Sequence, residues 1–68
     1  MDISHASKGD RFECRNGQIV YFMADTGILD GDFLLRNEKT HLQGVWYKNG
    51  RQFRTEDFES DSDIVKAL

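Results

Sequence analysis

Residues rich in Phe, Ile, Val and Tyr lie on both sides of the polar pair Asn16-Gly17, in the stretch from residue 10 to residue 24. An Asn-Gly pair between apolar stretches is the strongest short-range signal of a β-hairpin, because the favoured two-residue turn needs a positive φ at both central positions. The pattern therefore predicts two antiparallel strands, over residues 10–15 and 18–24.

A two-residue turn also fixes which side chains of this hairpin share a face, since directly opposite residues of an antiparallel pair point to the same side. One face is predicted to carry two facing pairs: Cys14 with Ile19, and Phe12 with Tyr21. The other face is predicted to carry Arg11, Glu13, Val20 and Phe22.

The second Asn-Gly pair, Asn49-Gly50, lies within the sequence VWYKNGRQF. The same turn chemistry predicts a second hairpin here, with strands over residues 42–48 and 51–57. The polar residue types that flank both turns are explained by this shared chemistry, and we do not interpret them as a duplication.

Three other segments complete the pattern. Residues 32–37 are apolar enough to predict a further strand, whereas residues 1–9 are predicted to be a loose, polar N-terminal arm. In the tail, the apolar residues 64–65 are compatible with a short closing strand or with a short capped helix, and the strand is favoured.

Five or six short strands, with turns every 8–12 residues, predict an all-β protein that forms one small domain over residues 1–68. At this length the expected architecture is a small antiparallel SH3-like barrel or a strongly bent sheet. The sequence leaves open whether the barrel closes.

Composition restricts the function. The chain has one cysteine, no zinc-binding pattern and a net charge of −3, which lacks the basic field of a general DNA-binding domain. The polar N-terminus has no apolar signal segment, and no apolar run is long enough to span a bilayer, so a cytoplasmic protein with no membrane contact is expected.

The second hairpin carries the candidate contact residues. It combines aromatic and basic side chains, and an acidic stretch follows it at residues 56–63. Displayed aromatic residues beside segregated charge are typical of a surface that contacts a protein. The expected partner-binding residues are Tyr47, Arg51, Arg54 and Phe58. A solvated hairpin with no binding role is the simpler interpretation and stays open.

A single-stranded nucleic acid is the alternative partner, because aromatic platforms and cationic side chains hold bases and phosphates. The residues expected to contact it are Tyr21, Tyr47, Lys48, Arg51 and Arg54.

Enzyme activity is not expected. Cys14 is predicted to be a core residue in mid-strand, away from any helix N-terminus that would activate its thiol. No phosphate-binding loop and no credible pair of catalytic carboxylates is present, so no cofactor and no metal are predicted.

The C-terminal half shows Trp46, then Asn49-Gly50-Arg51, and a polar stretch that ends at residues 63–65. This pattern resembles the ends of small β-rich proteins encoded by bacteriophages and prophages, most of them of unknown function. The resemblance covers about 20 residues of the 68 and assigns no site residues. It implies a bacterial cytoplasm and an accessory role in phage–host biology.

These observations favour a small non-catalytic protein-binding module, as a phage-encoded modulator of a host protein would be. A single-stranded nucleic-acid-binding barrel and a structural homo-oligomer that pairs its strand edges are the two alternatives.

Overall fold

The computed structural model describes residues 1–27, 33–53 and 59–68. These residues contain no helix and form five strands: β1 (Arg11–Cys14), β2 (Ile19–Asp25), β3 (Phe33–Asn37), β4 (Gln43–Trp46) and β5 (Ile64–Ala67). The strands make one antiparallel sheet with the order β4-β3-β2-β1-β5. The predicted all-β class is confirmed, and the tail is a strand.

Within the three described ranges, no helix has the length and apolar character that crossing a bilayer requires.

Alternate residues of the strands point to one side of the sheet and form the core, as the two-residue period of a strand requires. Phe22 and Phe33 meet there edge to face, with ring centroids 5.4 Å apart. The extra residue Met23 forms a bulge between β2 and β3. The buried apolar residues are Ile3, Phe12, Cys14, Val20, Phe22, Phe33, Leu35, Trp46 and Ile64.

The register predicted for the first hairpin is wrong by one residue. Phe12 pairs with Val20 rather than with Tyr21, and Glu13 pairs with Ile19. Because side chains alternate along a strand, this shift moves every residue of β2 to the other face relative to β1. Val20, not Tyr21, therefore joins Phe12 in the core.

The cause of the shift is a three-residue turn in place of a two-residue one. Cys14 N–H donates to the Gln18 carbonyl and Gly17 N–H donates to the Cys14 carbonyl, each at 2.9 Å. Only Gly17 has a positive φ, of 88°, while Asn16 stays outside the left-handed region. A single glycine in this region is the geometry of a type I turn with a following bulge.

The second Asn-Gly pair forms the same turn, with bonds of 2.8 Å from Tyr47 N–H to the Arg51 carbonyl and from Gly50 N–H to the Tyr47 carbonyl. The strand predicted over residues 51–57 does not begin at residues 51–53, which are irregular. Its remaining positions 54–57 lie outside the described residues.

The N-terminal arm was expected to be loose because it is polar, but it is anchored to the rest of the protein. Ile3 is only 2% exposed, and its N–H donates to the Lys48 carbonyl at 2.6 Å. The terminal ammonium of Met1 donates to the Asn49 carbonyl at 3.0 Å. The one buried apolar side chain of the arm anchors it to the second turn.

Strands β4 and β5 lie at opposite edges of the described sheet and are not paired with each other there. Single hydrogen bonds nevertheless connect their neighbourhoods. Trp46 Nε1 donates to the Ser62 carbonyl and Ile64 N–H donates to the Gly50 carbonyl, both at 2.8 Å. The sheet therefore bends far enough for the turn after β4 to contact the start of β5.

Asp63 connects the segments that meet at this junction. Its side chain is nearly fully buried, with Oδ1 accepting from Gln52 N–H at 3.0 Å and Oδ2 accepting from Ser60 N–H at 2.9 Å. Its backbone carbonyl accepts from Arg15 N–H in the first turn at 2.9 Å. One buried residue thus links both Asn-Gly turns to the start of β5.

The two turn glycines form a matched pair of test positions. Both need a positive φ, so replacement by alanine strains each by about 1–2 kcal/mol. A Cβ on Gly17 meets nothing within 4 Å, but one on Gly50 would lie 2.5 Å from the Met1 carbonyl oxygen. We expect Gly50→Ala to lower the free energy of unfolding by about 1–3 kcal/mol more than Gly17→Ala, measured by urea titration. Equal losses would contradict the close packing of the arm on this turn.

Removal of the Asp63 carboxylate should destabilise the fold strongly. Asp63→Ala leaves two backbone N–H groups without acceptors, and we expect a loss of about 2–4 kcal/mol in chemical unfolding. Asp63→Asn keeps one acceptor oxygen and should lose less. Asp61→Ala is the control, because this exposed residue uses its backbone carbonyl to bind Asn16 N–H; a change within about 0.5 kcal/mol is expected. A similar loss in both alanine variants would refute the role given to Asp63.

Candidate functional site

The side of the sheet opposite the core, here named the outer face, is set by strand alternation and by the observed register. Its strand residues are Arg11, Glu13, Ile19, Tyr21, Ala24, Leu34, Arg36, Gln43, Val45 and Lys66. None of the ten is buried as a residue, so these side chains are at least partly accessible to a partner.

One row of residues crosses the outer face through four strands. Arg11 pairs with Tyr21, Tyr21 pairs with Arg36, and Arg36 pairs with Gln43. Opposite residues in antiparallel strands have Cβ atoms about 4.5–5.5 Å apart. The half-buried Tyr21 therefore lies between two arginines.

Apolar residues adjoin this row on both sides. Leu34 pairs with Val45, which is 45% exposed, and Ile19 lies two residues before Tyr21 on the same strand. Leu34 and Ile19 are half-buried. The centre of the outer face is thus a set of apolar side chains around Tyr21.

The two arginines differ in their electrostatic surroundings. Arg11 binds Glu38 with both groups of its fork, Nε to Oε2 at 2.8 Å and Nη2 to Oε1 at 3.1 Å. These hydrogen bonds, and then the charge of Glu38, raise the pKa of the Arg11 guanidinium. The charge of Arg11 is therefore already paired within the protein.

Arg36 has no such pair. Its Nε is buried, and among the described residues this atom has no hydrogen-bond acceptor and the side chain has no ion pair. A buried donor without an acceptor costs about 1–3 kcal/mol, and more when the group is charged. This makes Arg36 the least satisfied polar group of the outer face.

A cleft of about 470 Å³ opens beside the outer face, between the first Asn-Gly turn and the turn after β3. Ile19 and Glu38 belong to its lining. Asn37 positions one wall, because its Oδ1 accepts from Lys39 N–H at 2.8 Å and from Thr40 N–H at 2.9 Å. The cleft extends the apolar centre of the outer face around Ile19.

The structure distributes the residues predicted from the sequence over two places. Tyr47 and Arg51 are half-buried and Lys48 is exposed, all at the second turn. Tyr21 lies on the outer face, in a strand separated from β4 by β3.

The second turn has a structural role as well, since its backbone holds the N-terminal arm and β5. Arg54 and Phe58 lie outside the described residues, so their predicted roles stay predictions.

Sequence reasoning missed Arg11, Arg36 and Val45. The signal was present in the alternation of strands β1, β3 and β4, but it can be used only with the correct register and with β3 as the central neighbour of β2. The predicted register was wrong by one residue and therefore placed Arg11 on the same face as Val20 and Phe22 instead of Tyr21.

Cys14, the only cysteine, lies in the core and is 1% exposed. Burial raises the pKa of its thiol, and the carboxylates of Asp63 and Glu13 add to the increase, while a 3.7 Å contact from Gln18 Nε2 opposes it. An activated thiol needs the opposite shift. In the part of the chain that the structure describes, no three metal-binding side chains come together.

Comparisons of the chain with protein-family models, with curated proteins and with solved structures find no match. The resemblance to phage-encoded proteins therefore stays a prediction, and the function has to be argued from the outer face itself.

The position of Cys14 predicts low reactivity in the folded protein. With Ellman's reagent at about pH 8, labelling should be at least about a hundredfold slower than in urea and should follow the unfolding curve. Rapid labelling of the native protein would show that the thiol is accessible.

Because the pKa of the Cys14 thiol is higher in the folded protein than in the unfolded chain, the thiol's contribution to stability should disappear as the pH rises past about 8.5.

Proposed function

We propose that this protein is a small non-catalytic module that binds a protein partner through its outer face. The observation that carries the proposal is the apolar centre of that face. Tyr21 and Val45, with the apolar residues beside them, are surrounded by the charged residues Arg11, Glu38 and Glu13. An apolar centre with a charged rim is the usual anatomy of a protein–protein contact.

The non-catalytic character of the proposal is supported by the state of Cys14. Its thiol is buried and its pKa is raised, so it lacks the two properties of a nucleophile.

We place the contact on the outer face and treat the second turn as a separate candidate surface. The sequence-based residues Tyr47 and Arg51, with Arg54 and Phe58, are expected to form that second surface. The backbone of the turn forms hydrogen bonds with the arm and with β5, so the turn also has a structural role.

A single-stranded nucleic acid is the second candidate partner, because Tyr21 between Arg11 and Arg36 resembles a stacking platform with cations beside it. Against it stands Glu38, whose ion pair with Arg11 already occupies one of these two cations. The net charge of −3 acts in the same direction.

A homo-oligomer is the third candidate, and one observation favours it. Strand β5 is an edge of the described sheet; Val65 within it is 43% exposed and Leu68 directly after it is 55% exposed. Exposed strand edges can pair between copies. Light scattering distinguishes this candidate, because only an oligomer scatters above the mass of a 7.9 kDa chain.

From the sequence resemblance we further propose a bacterial cytoplasmic setting and a role as a phage-encoded modulator of a host protein. Closure into an SH3-like barrel is part of the same proposal. The hydrogen bonds between the turn after β4 and the start of β5 support closure.

The proposal predicts variant-dependent capture of a protein from bacterial lysate. The wild-type protein and Lys8→Glu, an exposed change outside the sheet, should retain the same partner. Val45→Glu should reduce retention by about tenfold or more, because it places a charge in the apolar centre. Each variant is first shown to unfold at the wild-type urea midpoint, and the captured protein is then purified and titrated directly.

If the Val45→Glu variant still retains the partner and the Lys48→Glu variant does not, the contact lies at the second turn instead of on the outer face.

Anisotropy of a labelled single-stranded oligonucleotide, at low and at physiological salt, tests the second candidate in parallel. Binding that weakens steeply with salt and with Arg36→Gln would replace the protein partner by nucleic acid.

A further inference from the structure

Arg36 is the feature of the outer face that the proposed contact does not yet explain. It lies in the central row, beside Tyr21, in the strand between β2 and β4. The residue is half-buried and its Nε is buried; within the described ranges this Nε has no hydrogen-bond acceptor and the side chain has no ion pair. A partly desolvated cation without a counter-charge is unfavourable, so a partner that supplies an anion there gains affinity.

The number of anions that this face accepts is small. Arg11, the other arginine of the row, is already held by Glu38 in a two-bond pair. Glu13 lies on the same face directly opposite Lys66 of β5, so the β1–β5 edge of the face carries one charge of each sign. Arg36 is the one arginine of this face without an ion pair among the described residues, so the centre of the face has a place for one anion rather than for a polyanion.

We propose that the outer face binds an acidic, extended segment of a partner protein, and that one carboxylate of this segment pairs with Arg36. The proposal rests on the proposed function, because it names the chemistry of the same partner surface. Guanidinium and carboxylate match in two parallel hydrogen bonds, which gives the pair geometric specificity. Arg36 must turn its fork outward to make them, since its Nε is buried in the unbound protein.

The neighbouring apolar residues define the rest of the segment. Leu34 lies two residues from Arg36 on β3, and Val45 lies opposite Leu34. Residues two apart on a strand are separated by about 6.5–7 Å, both on this sheet and on an extended ligand. A segment with an acidic residue and, two positions away, an apolar residue therefore matches Arg36 and the Leu34–Val45 pair together.

A nucleic-acid strand fits this arrangement less well than an acidic peptide does. A nucleic-acid strand carries a negative charge at every phosphate, whereas Arg36 is the one arginine of the outer face that has no ion pair among the described residues. The Arg11–Glu38 pair and Glu13 lie two strands away from it, at β1. The apolar centre next to Arg36 matches side chains of a protein.

The test uses two synthetic peptides, acetyl-Ser-Glu-Thr-Leu-Ser-amide and the same peptide with Gln in place of Glu. Each is titrated into the ¹⁵N-labelled protein up to millimolar concentration, and the Arg36 Nε–Hε signal is followed by NMR. With the Glu peptide this signal should shift downfield as the donor gains an acceptor. The Glu peptide should also bind about tenfold more tightly than the Gln peptide.

Variants separate the pair from a general charge effect. Arg36→Gln should remove the preference for the Glu peptide, and Arg36→Lys should restore part of it, because lysine keeps the charge without the fork. Lys8→Gln makes the same charge change outside the sheet and should keep the full preference. Urea midpoints of all variants show that the protein stays folded.

Equal binding of the two peptides, or an Arg36 signal that does not move, overturns the proposed carboxylate pair. The proposed function is tested separately by partner capture: it still holds if the Val45→Glu variant fails to capture the protein that the wild type captures. Failure of the carboxylate pair and failure of the proposed function therefore give different results. Salt-sensitive, Arg36-dependent binding of a single-stranded oligonucleotide, without any preference for the Glu peptide, overturns it in favour of phosphate.

Discussion

The buried carboxylate of Asp63 is the constraint on which the rest of the structure depends. A charged group enters the interior only when hydrogen bonds replace its lost hydration. Here they come from backbone N–H groups of Ser60 and Gln52, while the Asp63 backbone binds the first turn. Satisfying this carboxylate brings together Ser60, just before β5, and Gln52, just after the second turn. A small core thereby gains a polar junction that specifies its geometry.

That junction also decides which surface is left for binding. The second turn, although it carries the aromatic and basic residues most visible in the sequence, is held on its backbone side by the arm and by β5. The outer face carries none of these structural contacts. It combines an apolar centre with two arginines, one of which, Arg11, has an ion pair, while the other, Arg36, has none among the described residues. The core and the candidate binding site thus lie on opposite sides of the sheet.

The positions of the turns could be predicted from the sequence, but the turn type and the register could not. The positions of both turns and of the strands β1, β2, β3 and β4 followed from the Asn-Gly pairs and from the apolar segments beside the turn residues. The register failed because Ile19 and Tyr21 are as apolar as Val20 and Phe22, so that the period of the strand permits both faces. Asn-Gly also fits a three-residue turn with one positive φ. The burial of Ile3 and Asp63 depends on contacts far apart along the chain, for which the sequence carries no local signal.

The pairing of β5 with β1 has a consequence for how the chain acquires its structure. Phe12 pairs with Ala67, and Ile64 completes the core. Contacts this distant in sequence form late and slowly, because a long loop must close before they contribute. During synthesis, β1–β4 would leave the ribosome with one edge of β1 unpaired until β5 follows. The nascent protein therefore passes through an interval of exposure to aggregation and to chaperones that ends only when β5 pairs with β1.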